Sequence, residues 1–315
     1  MLRALIWIGK QGRYCLIAGL LVGLLAPGLA EVLRPWIGTM VAVLLFVTSL
    51  RVGARNAFGS ISQLGPTLAR IAALQTGLPL IAACILMALG VQAQPLALAV
   101  VLMLAAPSLT GAPNFAIMMG RDPEPGMRLL VLSTALFPLT AFPVLWLLDP
   151  TGGGALSALT LSLGLLAAIL GASALGFAAR AAAPRLGQVS AQGALDGIAA
   201  ILLAVVVVGL MSAVGPLLRS DPLELVGWLA VALGINVVLV VAALHLSRWA
   251  RLSMRLATAI YAGNRNIALF LIALPDAVAA PLLIFVGCYQ IPMYLTPILL
   301  SKMRVEHEGS APKRP

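Results

Sequence analysis

Ten apolar runs, 16 to 27 residues long, follow one another along the chain with 1 to 15 residues between them. Nothing else in the sequence limits the fold so strongly. A run of that length matches the hydrocarbon thickness of a bilayer, and a helix satisfies its own backbone there. The expected spans cover about 14–33, 35–50, 66–90, 94–120, 126–148, 154–179, 190–215, 222–247, 254–275 and 279–301. Composition agrees. Hydrophobic residues make up 61% of the chain and charged residues 10%, where a soluble domain carries about 25% charged. An ordinary soluble domain, a disordered tail and a disulfide scaffold are thereby excluded. The expectation is an all-α integral membrane protein.

Twenty Lys and Arg face ten Asp and Glu, a net charge of +10. In a soluble protein that excess would suggest nucleic acid; between spans it marks cytoplasmic loops. Ten spans put both ends on one side. That side holds 17 of the 20 basic residues, the other holds Arg34 and Arg219, and Arg265 lies inside a span. Both termini are therefore expected in the cytoplasm, with the chain in the cell (inner) membrane. Arg3, Lys10 and Arg13 precede an apolar run ending in Pro27-Gly28-Leu29-Ala30, a pattern shared with cleaved signal peptides. A retained first span is expected, because the rest of the chain is polytopic. Cys15, Cys84 and Cys288 are far apart, without metal-ligand spacing, and read as small buried hydrophobes. No metal, cofactor, nucleic acid or protein partner is implied.

The two halves share an ordered set of markers. Pro138 and Pro143 correspond to Pro292 and Pro297 at an offset of 154; Gly111, Asn114 and Pro123 correspond to Gly263, Asn266 and Pro275 at an offset of 152. The expected organisation is a five-helix repeat in 1–150 and a second in 154–301, joined near Thr151-Gly152-Gly153-Gly154, then a polar tail, 302–315, holding Glu306, His307 and Glu308. Five is odd, so the second repeat enters from the opposite side. Inverted repeats are a common build for secondary transporters, with a site at the repeat interface exposed to each side in turn.

Two spans are interrupted. The fourth carries Pro107-Ser108-Leu109-Thr110-Gly111-Ala112-Pro113-Asn114, and the ninth carries Tyr261-Ala262-Gly263-Asn264-Arg265-Asn266. Proline cannot donate to a helical ladder, and backbone groups released in hydrocarbon cost several kcal/mol unless protein or a cavity satisfies them. Each break therefore faces the interior. It also leaves a half-helix N-terminus suited to an anion and carbonyls suited to a cation.

Those stretches, with Ser133-Thr134-Ala135-Leu136-Phe137-Pro138, resemble the bile acid:sodium symporter family over nearly the whole chain. The resemblance implies a core of helices three to five and eight to ten, with two crossed broken helices (four and nine). A panel of helices one, two, six and seven would face it across a cleft for an amphipathic organic anion. It also implies two sodium sites resting on a ninth-helix glutamate and on hydroxyls of the fourth and fifth helices. This chain departs there. The glutamate position reads Tyr261, the serine position Pro113, the fifth-helix hydroxyl positions Gly126 and Leu130, and a glutamine position Arg265. Gln75, Asn114 and Asn266 remain family-like. A hard cation wants several oxygens, usually with a carboxylate; this core has none and gains a guanidinium.

The expected function is therefore alternating-access transport of a small or amphipathic organic anion without sodium, with Arg265 supplying the positive charge. Alternatives are a sodium-coupled symporter with non-standard sites and a membrane ligand sensor that does not transport. Candidate substrate contacts are Arg265, Asn114, Asn266, Asn264, Tyr261, Thr110, Ser108 and Gln75. An intramembrane arginine is usually functional, the plainer role being a tie to carbonyls freed at the opposite break. The asparagines suit helix caps equally well, and Ser133 and Thr134 suit bonds to their own helix. Asp196 reads as a helix-terminus acid, with proton carriage as its alternative. His245 reads as interfacial, and Gly19, Gly23, Gly171 and Gly176 as points of close helix approach. No phosphate loop, zinc pattern or paired intramembrane acids mark an enzyme.

Overall fold

The computed structural model describes residues 2–57 and 64–302, and within them every regular element is a helix and none is a strand. The polar tail beyond 302, with Glu306, His307 and Glu308, lies outside the described residues. Fifteen α-helices follow in order: α1 Leu2–Lys10, α2 Gly12–Leu25, α3 Pro27–Leu33, α4 Ile37–Ala57, α5 Leu64–Ile71, α6 Leu78–Ala88, α7 Pro95–Ala105, α8 Ala112–Met118, α9 Glu124–Leu148, α10 Gly154–Ala182, α11 Val189–Leu210, α12 Val214–Ser220, α13 Pro222–Trp249, α14 Arg255–Gly263 and α15 Asp276–Lys302. A π-helical turn, Ala72–Gly77, joins α5 to α6, and a 3₁₀ segment, Ile267–Ile272, follows α14.

Among the described residues seven helical stretches are long and apolar enough to cross a membrane, and the pair α1 and α2, bent by 84°, makes an eighth. The protein is thus an all-α, multi-pass membrane protein. Neither interrupted run contains an unbroken helix of that length; α7 has 11 residues and α14 has nine.

The helix boundaries follow local chemistry. Asp221 caps α13 by accepting from the Glu224 N–H at 2.9 Å, with Pro222 in the first turn. Asp149, in the left-handed region at φ 41°, ends α9, and Gly152 and Gly154 at φ 70° and 62° turn the chain into α10. The expected first span, 14–33, is corrected. The chain is already helical from Leu2, and Ala26, at φ −119° and ψ 68°, breaks the helix. The cause is Pro27, which disfavours helical backbone in the residue before it. Residues 27–33 continue instead toward α4, giving one span, Pro27–Gly53.

Helix packing gathers the helices into two groups, joined by the α9–α10 hairpin, whose two helices also pack on each other. Helices α1, α2, α4, α10 and α11 pack on one another, and α5–α9 pack with α13–α15. In the first group backbones approach through small residues. A Cβ on Gly19 would lie 2.5 Å from the Ala204 carbonyl oxygen, and one on Gly176 2.7 Å from that of Phe46. Gly171 is different: it faces open space and mediates no close approach. Arg51 and Asp196 form a salt bridge joining α4 to α11, so Asp196 has a partner within its own group. His245 is exposed. The cysteines need a correction too: Cys288 is buried, Cys15 is intermediate and Cys84 is exposed on the outer face of α6.

Candidate functional site

The two interrupted runs cross each other. After Ala105 the chain leaves α7 in an extended conformation, and after Gly263 it leaves α14 likewise. The freed segments form a short antiparallel contact, with Ser108 opposite Arg265. The Leu109 N–H donates to the Asn264 carbonyl at 2.9 Å, and the Asn266 N–H donates to the Pro107 carbonyl at 2.8 Å. The Ser108 N–H donates to Ser133 Oγ at 3.1 Å. This corrects one expectation. Three N–H groups freed at the breaks, which were expected to leave polar groups open to a ligand, are consumed by the opposite break or by α9, because two broken ladders lower their polar cost most simply by completing each other.

Arg265 stands at the centre and has no solvent-accessible surface. Its guanidinium donates to three carbonyls from three segments: Nε to Ala262 at 3.2 Å, Nη1 to Ala106 at 3.1 Å and Nη2 to Leu74 at 3.1 Å. Its carbon also lies 4.2 Å from the Tyr261 ring centre, in cation–π range. Ala262 ends α14 and Ala106 follows α7, so each break supplies an acceptor. The third acceptor has a traceable cause. In the π turn Ala72–Gly77 each N–H reaches back five residues, as Leu78 does to Ala73. Pro79 is next; it has no N–H, so Leu74 loses its donor and its carbonyl turns to Arg265.

A polar chain continues outward from Tyr261. Its hydroxyl donates to Gln75 Oε1 at 2.6 Å, and Gln75 Nε2 donates to Thr140 Oγ1 at 2.8 Å and to the Ser133 carbonyl at 3.1 Å. On the other side of α14 the Gly263 carbonyl accepts from Asn236 Nδ2 and, at 2.6 Å, from the Tyr289 hydroxyl. Thr296 in turn donates to Asn236 Oδ1 at 3.2 Å. Asn236, Tyr289, Thr140 and Thr296 were not expected site residues. Asn236, a lone amide in the middle of a long apolar helix, was the available signal.

Of the expected contacts, Gln75, Tyr261, Arg265 and Ser108 therefore meet in one buried cluster. Asn264 is buried, and its Nδ2 caps its own helix by donating to the Ile260 carbonyl at 2.9 Å. Asn266 and Thr110 are half-buried and share a 3.4 Å hydrogen bond. Asn114 is exposed on α8 and takes no part in these bonds. Ser133 does bond back to its own helix, to the Leu130 carbonyl, while also receiving the Ser108 N–H.

Thr110, Asn266 and Gln290 lie on one wall of a cavity of about 20 Å³ whose other wall is Val41, Leu44 and Leu210 of the opposite helix group. That volume holds about one water, so the two walls are shut on each other. The contact holding them is close. A Cβ on Gly38 would come within 3.1 Å of the Leu271 carbonyl oxygen, and one on Gly287 within 3.0 Å of that of Leu210. Toward the opposite end, neither α4 nor α11 keeps an extended contact with α8 or α14 among the described residues. The seam is thus closed at the end where Gly38 meets Leu271.

The chain matches no protein-family model and no curated protein.

Proposed function

We propose that the protein is a secondary transporter of a small or amphipathic organic anion. It works by alternating access, independently of sodium, with Arg265 standing where related carriers hold a coupling cation. One observation carries this reading: a fully buried guanidinium, without a carboxylate partner among the described residues, held by carbonyls of two broken helices and a π turn. Carbonyl oxygens converging from separate segments are the donor set of a cation site. Here the cation is covalently attached. Arginine stays protonated in proteins, so it can neither leave nor carry a proton.

On this reading the bent α1–α2 pair, the seven long helices and the two interrupted runs make ten crossings. The two crossed segments belong to inverted repeats, 1–150 and 154–301, of the kind found in the bile acid:sodium symporter family. The group α5–α9 with α13–α15 is the core, the other group is the panel, and both termini are cytoplasmic. Arg265 acts on the anion through its field and by fixing the crossing, since three of its five N–H groups are taken by carbonyls. Direct contacts fall to Thr110, Asn266 and Gln290, which face the seam. Their neutral polar wall opposite Val41, Leu44 and Leu210 suits a molecule with one polar end and one apolar end. On this reading the closed end of the seam is the extracellular one, and the substrate reaches this wall only once the two walls part.

The test is counterflow in proteoliposomes loaded with carboxylates, sulfonates or steroid acids, preceded by a thermal-shift screen to choose among them. Accelerated exchange of a stabilising anion is the expected result. A stabilising anion that binds and never exchanges would overturn transport in favour of a sensor.

A further inference from the structure

A second cavity, about 460 Å³, opens between α4 and α15 at the closed end of the seam. Arg34 and Thr39 stand on one wall and Asp276 on the other, with Leu271, Leu274 and Leu283 lining much of the rest. Arg34 and Asp276 are both exposed, and among the described residues neither has an ion-pair partner: not each other, and not Glu31 beside Arg34. Taken singly, each charge has an ordinary account. An acid is favoured at a helix N-terminus, and an arginine near a span end reaches for water. Together they put an unpaired cation and an unpaired anion on facing walls of one cavity that has both polar and apolar lining, too far apart to pair with each other.

The ligand that completes this arrangement carries both charges and an apolar body. Trp36, 60% exposed and two residues from Arg34, is the kind of side chain that settles among lipid headgroups. We propose that the cavity binds a phospholipid with a primary-amine headgroup, of the phosphatidylethanolamine type. The phosphate receives the planar fork of Arg34, the ammonium donates to the Asp276 carboxylate, and the upper chain lies against the leucines. The cavity takes the headgroup and the start of the chains; the remainder stays in the bilayer. So placed, the lipid ties α4 to α15 across the seam and favours its closed state. The lipid's binding rests only on the chain crossing a bilayer; its effect on the seam rests on the proposed alternating access.

The experiment is native mass spectrometry of the purified protein exposed to equimolar phosphatidylethanolamine, phosphatidylcholine and phosphatidylglycerol. Phosphatidylcholine carries the same two charges, but its quaternary ammonium has no N–H to donate. The wild type should retain the ethanolamine lipid about tenfold better than the choline lipid, the worth of one charge-assisted hydrogen bond. Asp276→Asn should erase that preference, and Arg34→Gln should lower retention of both. Both side chains are exposed, so lipid-free melting temperatures should match the wild type and show that the variants fold. Equal retention of the two lipids by the wild type, or an ethanolamine preference that survives Asp276→Asn, would overturn the proposal. So would displacement of the lipid by soluble glycerophosphoethanolamine, which would make the ligand a free zwitterion.

Discussion

Replacing Arg265 by Ala empties the carbonyl cage without touching its walls. Three acceptors, Ala106, Leu74 and Ala262, lose their donors at once. A buried acceptor left unsatisfied costs about 1–3 kcal/mol, so the gross loss is about 3–9 kcal/mol. Relief of the guanidinium's own desolvation offsets part of it. A net loss of a few kcal/mol is large against the roughly 5–15 kcal/mol by which folded chains are stable. The vacated space should then accept a free planar cation. Guanidinium at about ten times its dissociation constant would return about 1.4 kcal/mol by linkage. The assay is thermal unfolding in detergent across a low, non-denaturing guanidinium series. Guanidinium should raise the midpoint of Arg265→Ala and leave the wild type unchanged or slightly lower. Arg265→Lys, which keeps the charge but loses the fork, should fall between the two and serves if the alanine variant does not fold. An alanine variant as stable as the wild type would refute the cage, as would one destabilised but indifferent to guanidinium.

Other consequences follow from the same contacts. Pro79→Ala restores the missing N–H, so the Leu74 carbonyl should return to its own helix. Arg265 then loses one of three acceptors, and the melting temperature should fall although a helix-breaking residue has been removed. Tyr261→Phe deletes the 2.6 Å bond to Gln75 and strands its carbonyl oxygen, for a loss of about 1–3 kcal/mol in a denaturant titration. Gly287→Leu forces a side chain against the Leu210 carbonyl. The strain of about 1–3 kcal/mol is relieved by parting the seam, so a cysteine placed at Thr110 should gain reactivity toward a membrane-impermeant thiol reagent. An unchanged labelling rate would show that the seam does not move there.

The breaks were legible because their chemistry is local. Pro107 and Pro113 lack the N–H that a continuous ladder needs, Gly263 weakens one, and Arg265 inside an apolar run demands an interior position. What Arg265 binds was not legible, since its acceptors are main-chain carbonyls, which leave no letter in a sequence. The Leu74 carbonyl could have been inferred only by seeing that Pro79 orphans an acceptor upstream and knowing that the turn is π. Asn236 was visible as a lone amide in α13, but its partner Gly263 is 27 residues away and is reached only through packing. The expected repeat was a poor guide in one respect. Asn114 and Asn266 occupy matching positions, yet one is exposed on α8 and the other bonds to Thr110, because the first break leads into a helix and the second into a 3₁₀ segment. The first span was misplaced because hydropathy runs smoothly across Ala26, where the backbone is turned by Pro27.

The tethered cation is best tested by initial rates of anion uptake into proteoliposomes, measured with sodium fully replaced by an inert cation and again at high sodium, at a fixed membrane potential. The account predicts the same rate in both. A rate that vanishes without sodium would show that a free ion, and not Arg265, completes the crossing.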